Sequence, residues 1–354
     1  MLIYYVMLGV PLFIAVLFRL YKQKTLKKDL FNPTILVFFI CFFLILILRD
    51  YSIGADTLGY KELYENIGRI SFGKMFADAD REYGFMLFTK LFRFINPSFR
   101  IYLAIVTLLS LLPIAWYYQT ESEYPLLTIV FFVTVAPFTM YFSGLRQIMA
   151  MGLGIVAWQM AKNKKLIWFL VIVAVAIMFH ASAIILFVMY PLYKVRITTK
   201  WLFAVVPAII LIYIFNKPIF SFLTTFLWKE YGKIEDTGSY TVLILLVALA
   251  VYAFFIPDKD RLDKDTIALR NLLLLSIVLQ CFAPIHPLAM RMNYYFLLFI
   301  PILIPKIAIS SKFQYKELTE ASVLVMLVVF TAYFFYHASA GSDNLNVYHY
   351  IGCW

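Results

Sequence analysis

Charge is what this chain has least of. Only 14% of its 354 residues are Asp, Glu, Lys or Arg, where a soluble domain carries about 25%. The three cysteines, Cys41, Cys281 and Cys353, are scattered too widely for a disulfide framework or a metal knuckle. Histidine occurs four times, without an HExxH pair and without an aspartate cluster of metal-binding type. These absences argue against a metal-dependent enzyme with His or Cys ligands, and no cofactor is expected. A P-loop, a GxGxxG after a strand and a GxSxG elbow are also missing, which argues against a nucleotide-driven engine. A net charge of +11 would hint at nucleic acid in a soluble protein; here the basic residues are distributed by loop, and no nucleic-acid partner is expected.

Hydrocarbon is what the chain has in excess. Hydrophobic residues make up 63% of it, with 35 Phe and 25 Tyr. Apolar runs of roughly 17–25 residues suit a helix that crosses a bilayer, and they recur along the whole length. The expectation is an all-α, polytopic membrane protein, a single transmembrane domain over 1–354 with about twelve spans. These lie near 2–18, 33–48, 101–118, 125–142, 145–161, 166–179, 181–193, 201–216, 240–256, 270–285, 292–306 and 319–336. The first run has no basic segment before it and no small-residue cleavage site after it, so it reads as a retained span. Of the 31 Lys and Arg, 18 fall in the segments 19–32, 119–124, 162–165, 194–200, 257–270 and 306–317. Those segments are therefore assigned to the cytoplasm. Both termini then face out, with long outer loops at 49–100 and 217–240 and an outer tail at 338–354.

Two stretches strain this pattern. The run 166–193 is too short for two full spans and too long for one, and its middle reads FHASA; two short helices broken near His180 are expected. In YGFMLFTKLFRFINPS, Tyr83 to Ser98, the residues Thr89, Lys90 and Arg93 share a helical face, which predicts an interfacial or re-entrant helix ended by Asn96-Pro97.

The polar residues at the outer ends of spans need a reason. Arg146 is followed by Ala150, Gly154, Ala157 and Ala161 on one helical stripe. Small residues admit a neighbouring backbone, so Arg146 faces protein, and a wet cavity is favoured over a headgroup for it. Arg291 heads RMNYYFLLF, with Tyr294 and Tyr295 at offsets of three and four, and Arg49 ends its own span. Three arginines at one level could converge on an anion, because guanidinium stays charged and offers forked donors to phosphate oxygens. His180 is either a packing residue or part of such a cavity. After Arg49, Gly54 permits a tight turn, and Asp56 or Thr57 can cap the next helix. Tyr60, Leu63, Tyr64 and Ile67 give that helix one apolar face. Glu82 is the other acid beside a helix start.

The motifs RDYSIGADTLGY, EYGF, GLRQIMAMGL, FHASAII, RMNYY and NVYHY occur in this order. The series resembles the EpsG-like family of bacterial exopolysaccharide and O-antigen polymerases (Wzy-type). That resemblance implies a membrane glycosyltransferase, with a GT-C-like fold and short amphipathic helices in an outer loop. Such an enzyme joins oligosaccharide repeat units carried on undecaprenyl diphosphate at the outer face of the bacterial cytoplasmic membrane. The lipid-linked donor and acceptor, membrane lipids, a chain-length regulator and a flippase are the implied partners. Residue by residue it covers Arg49, Gly54, Asp56, Tyr60, Glu82, Gly84, Arg146, Gln147, His180, Ser182, Arg291 and Tyr295; Tyr83 stands where the usual pattern has proline. Arg49, Arg146, Arg291, Tyr60, Gln147 and Tyr295 are then expected to bind the lipid diphosphate, and Asp56, His180 and Glu82 to be catalytic. Fixed arginines suit the charge that develops on phosphate as the glycosidic bond breaks. The acceptor hydroxyl needs a base. Asp56, in an outer turn, is preferred for it over the deeper His180.

A ligase using the same donor, a flippase for the lipid-linked sugar and a membrane acyltransferase are the rival readings. Charge clustered on one side counts against the flippase. The sidedness has a direct check. A reporter active only outside the cell is expected to work when fused after Gly238 or Trp354 and to fail after Lys164 and Lys264. Activity at Lys264 would overturn the assignment.

Overall fold

The computed structural model describes residues 2–22, 32–78, 82–227, 240–311 and 316–339. The closing NVYHY motif, most of the outer tail and the middle of the 217–240 loop lie outside the described residues. All regular elements within them are helical. Helices α1 (Leu2–Lys22) and α2 (Pro33–Leu48) come first, then three short ones, α3 (Thr57–Ile67), α4 (Phe72–Asp78) and α5 (Tyr83–Ile95). The middle of the chain forms α6 (Phe99–Glu121), α7 (Pro125–Thr134), α8 (Leu145–Lys162), α9 (Leu166–Phe179) and α10 (Met189–Lys194). The rest comprises α11 (Leu202–Ile214), α12 (Asn216–Leu227), α13 (Thr241–Phe255), α14 (Lys264–Gln280), α15 (Pro287–Leu297), α16 (Ile300–Ile309) and α17 (Lys316–Ser339).

The surface is rich in exposed apolar side chains, among them Phe13, Trp116, Ile167, Trp168, Phe203, Ile244 and Val328. Apolar residues on the outside of helices are what lipid requires, and the molecule is a membrane protein. By length and composition α6 and α17 can each cross alone. Two bent pairs qualify together, α11 with α12 at 78° and α15 with α16 at 46°, and shorter apolar helices fill the remaining runs. The run 125–142 is not one helix: α7 stops at Thr134 and a 3-10 turn follows at Phe138–Phe142. Pro137 stands between them; it cannot donate a backbone bond and disfavours helix in the residue before it. The break near His180 is present. His180 is extended at φ −154, ψ 123, between α9 and a 3-10 stretch, Ala181–Val188. Helix α5, at 13 residues, spans about 20 Å at 1.5 Å per residue, short of a core of about 30 Å.

Polar groups gather at two ends. At one end Glu121 accepts from Lys162 at 2.6 Å and from Lys306 at 2.7 Å, while Lys162 also meets Asp265 at 2.6 Å. Tyr193 donates to Asp265 at 2.7 Å, and Asn271 reaches the carbonyls of Leu192 and Val195 at 2.9 and 2.8 Å. The segments assigned to the cytoplasm at 119–124, 162–165, 194–200, 257–270 and 306–317 thus meet at a single end. The first turns of α3, α5, α8 and α15 lie at the other.

The network at the first end is a closed structural device, and it makes a stability prediction. Glu121→Gln removes the charge that two lysines share, which costs about 2 kcal/mol. The exposed Lys61–Glu65 pair, 3.7 Å apart, is worth at most about 0.5 kcal/mol. A lower melting temperature of the solubilised protein is expected for Glu121→Gln and not for Glu65→Gln. Equal melting temperatures would contradict this role.

Candidate active site

The second end holds a cavity of about 500 Å³. The starts of four helices build its polar wall together with His180 at the end of α9, and each start is brought there by a local feature of the sequence.

The first is the stretch from Arg49 into α3. Gly54 has φ +94, the left-handed region that favours glycine, and it turns the chain so that α3 starts at Thr57. Asp56 stands at the cap position, but its side chain makes no capping bond. Its carboxylate lines the cavity instead, as does Tyr60 one turn on. The expected apolar face of α3 is buried: Tyr60, Tyr64 and Ile67 face inward, with Tyr64 stacked on Tyr102 at 4.5 Å.

The second is Glu82, which precedes α5 and is 7% exposed. Gly84 lets α5 approach the end of α9, because a Cβ at that position would lie 2.7 Å from Met178 Cβ and 3.0 Å from its carbonyl oxygen. The approach puts Glu82 against His180. The third part is the start of α8. Ala150, Ala157 and Ala161 are buried, and Gly154 lies against Leu186 and Tyr295, so the small-residue stripe does face protein. Arg146, in the first turn, is turned into the cavity. The fourth is α15, which follows His286-Pro287; the His286 ring caps it by accepting from Leu288 N at 3.0 Å. Arg291 lies one turn into this helix.

Glu82 joins these parts. One carboxylate oxygen accepts from Arg146 Nη1, and the other is hydrogen-bonded to His180 Nδ1. Arg146 Nε also donates to the Tyr60 hydroxyl at 3.3 Å. Burial pushes the Glu82 pKa up, but the hydrogen bond from His180, together with the charge and hydrogen bond of Arg146, outweighs it and holds the carboxyl below its ordinary value of 4.5. Gln147 donates to the Arg291 carbonyl at 2.6 Å, which ties α8 to α15. The Arg291 guanidinium makes no hydrogen bond or ion pair among the described residues, nor does the Asp56 carboxylate. The network therefore commits one arginine and leaves the other open.

Seven of the nine residues singled out in the sequence line this cavity: Asp56, Tyr60, Glu82, Arg146, Gln147, His180 and Arg291. Two do not. Tyr295 is 1% exposed and lies 3.2 Å from the Ser182 hydroxyl. Arg49 is fully buried and directs its guanidinium to the carbonyls of Leu46, Ile53 and Phe142. The apolar side of the cavity is Leu63, Phe85, Met86 and Met140; in the sequence Leu63 stands on the apolar face of its helix, but none of the four is marked for a site, since each is one apolar residue among many. Among the described residues no group of three or more His, Cys, Asp or Glu could hold a metal ion.

No curated protein and no solved structure matches this chain. The profile of the EpsG family matches residues 34–351, nearly the whole chain. The chain belongs to the EpsG family, a polysaccharide polymerase-like family.

Proposed function

We propose that this protein polymerises lipid-linked oligosaccharides in the cytoplasmic membrane of a bacterium, with the cavity as its active site facing the cell exterior. In this reading 1–354 is one transmembrane domain with about twelve crossings, some of them broken, in a GT-C-like arrangement. Family membership points to exopolysaccharide polymerase-type function. The observation that carries the assignment of the site is the pairing pattern: Glu82 neutralises Arg146 and engages His180, while Arg291 stays uncommitted beside them. A volume of about 500 Å³ is in the range of small-ligand pockets and accommodates a diphosphate with the sugar next to it.

Each residue then has a task. Arg291 takes the donor's diphosphate, since it is a cation lining the cavity whose guanidinium has no hydrogen-bond or ion-pair partner among the described residues to give up. With Nδ1–H donated to Glu82, His180 keeps the lone pair on Nε2 for a proton. The acceptor sugar's hydroxyl oxygen attacks the anomeric carbon of the donor, and its proton passes to His180 Nε2. The bond from that carbon to the lipid diphosphate breaks, and the electron pair leaves with the phosphate oxygen, where Arg291 stabilises it. Glu82 orients the imidazole and offsets its positive charge once protonated, and Arg146 holds Glu82. Asp56 is left to bind the acceptor sugar. This moves the role of base, which the sequence alone favours for Asp56, to His180, and the reason is Glu82: a histidine oriented by a carboxylate is a better-prepared base than an exposed aspartate that has no side-chain partner among the described residues.

Purified protein given lipid-diphosphate-linked repeat units tests the proposal. Wild type is expected to yield a ladder of longer chains. His180→Gln should slow extension by roughly 10²–10⁴ and Arg291→Ala by roughly 10²–10³, with Arg291→Lys restoring only part. Asp56→Asn is expected to weaken acceptor use by less than about tenfold, the scale of one exchanged sugar contact of about 1 kcal/mol. Full-length polymer from His180→Gln with none from Asp56→Asn would reverse the two roles. Transfer only to a foreign acceptor would make the protein a ligase.

A further inference from the structure

The RDYSIGADT segment leads into the cavity wall through Ala55 and Asp56, yet its arginine does not reach the cavity. The first arginine hydrogen-bonds to three separate backbone carbonyls. Arg49 Nη2 donates to the Phe142 carbonyl at 3.0 Å and Nε to the Ile53 carbonyl at 3.2 Å, while Nη1 serves Leu46. Phe142 is 93 positions away, so this contact links two distant parts of the fold.

Three further features converge on the same place. The Thr57 hydroxyl lies 3.1 Å from the Phe142 carbonyl and 2.9 Å from that of Ile53, with one proton to give to either. Gly54 passes so close that a Cβ there would sit 1.7 Å from the Phe142 oxygen. Ala55 N donates to the Ser143 hydroxyl at 3.0 Å. A second arginine fastens the segment from behind: Arg100 Nη1 donates to the carbonyls of Ile47 and Arg49 at 2.6 and 2.7 Å, with its guanidinium 4.0 Å from the Tyr51 ring centroid.

The clamped carbonyl stands where the cavity is assembled. Phe142 ends the 3-10 turn, Gly144 caps α8, and Arg146 follows in its first turn. On the other side of the clamp, Ala55, Asp56 and Tyr60 line the cavity. The contact therefore sets one wall against the other. We propose that Arg49, Gly54 and Thr57 clamp the Phe142 carbonyl and so hold Arg146, and through it Glu82 and His180, in register with Asp56 and Tyr60. Arg49 is in this account a positioning residue and not a ligand of the diphosphate. The kinetic half of the claim rests on the polymerase reading; the structural half does not.

Three variants and two readouts test it. Thr57 is fully buried, and Thr57→Val keeps its shape while removing the hydroxyl. In Thr57→Val the kcat for chain extension is expected to fall by roughly tenfold to a hundredfold, the scale of a misplaced catalytic group, with the KM for the lipid-linked donor unchanged. Thr57→Ser restores kcat. Arg49→Lys follows Thr57→Val, since lysine offers no fork. Hydrogen exchange supplies a readout without turnover: amides 143–148 should exchange faster in Thr57→Val, while those within α6 keep their protection. Unchanged exchange at 143–148 overturns the clamp, whatever reaction the protein catalyses. So does a raised donor KM in Arg49→Lys together with a normal kcat in Thr57→Val, which would return Arg49 to substrate binding. If wild type extends no chain while Thr57→Val still loosens 143–148, the polymerase reading fails and the clamp stands.

Discussion

A carboxylate at the edge of a hydrocarbon layer is stable as an anion only if other groups replace the water it has lost. Glu82 meets that condition through Arg146 on one oxygen and His180 on the other. An unpaired charge at such depth costs several kcal/mol, so the two partners are required by the acid. Much of the outer end follows from this requirement. Gly84 must be small for α5 to reach α9, α9 must stop just before His180 for the imidazole to turn inward, and α8 must begin just after Gly144 for Arg146 to point back. A bridge of this kind fixes three elements of different origin with one side chain.

The two polar ends of the molecule differ in completeness. At the end that holds Glu121, Lys162, Asp265 and Lys306, each carboxylate is shared between partners and the network closes on itself. That end ties helices together. At the other, Arg291 and Asp56 line a cavity and make no side-chain hydrogen bond or ion pair among the described residues, beside a triad that is fully engaged. Open charges next to a histidine ordered by a carboxylate are what the proposed reaction, binding an anion and moving a proton, requires. The polarity of the chain is scarce, and the fold spends it in two different ways.

Much of this was legible in the sequence, because a membrane makes polar residues conspicuous. Arginines at span ends, FHASA in an apolar run and the small-residue stripe behind Arg146 all stood out against hydrocarbon, and the cavity is lined largely by residues of those motifs. Partnership was less legible. Glu82 and His180 are 98 residues apart, and nothing in either motif announces the other, so their pairing could not be read from the sequence. That Arg49 binds carbonyls was not legible, because a span-end arginine is conspicuous whether or not it faces a cavity. Helix limits were also hidden: an apolar run such as 125–142 reads the same whether it is one helix or is broken at Ala136-Pro137. The right-angled turn between α11 and α12 has no signal stronger than Asn216 and Pro218.

The central claim is that Glu82 and His180 act as one catalytic unit. A double-mutant cycle on the rate of chain extension, with Glu82→Gln, His180→Gln and both together, measures this most directly. Residues that work as a unit give strongly non-additive losses, so the double variant is expected to be no slower than His180→Gln alone. Losses that simply multiply would show that the two side chains act independently and would contradict the account.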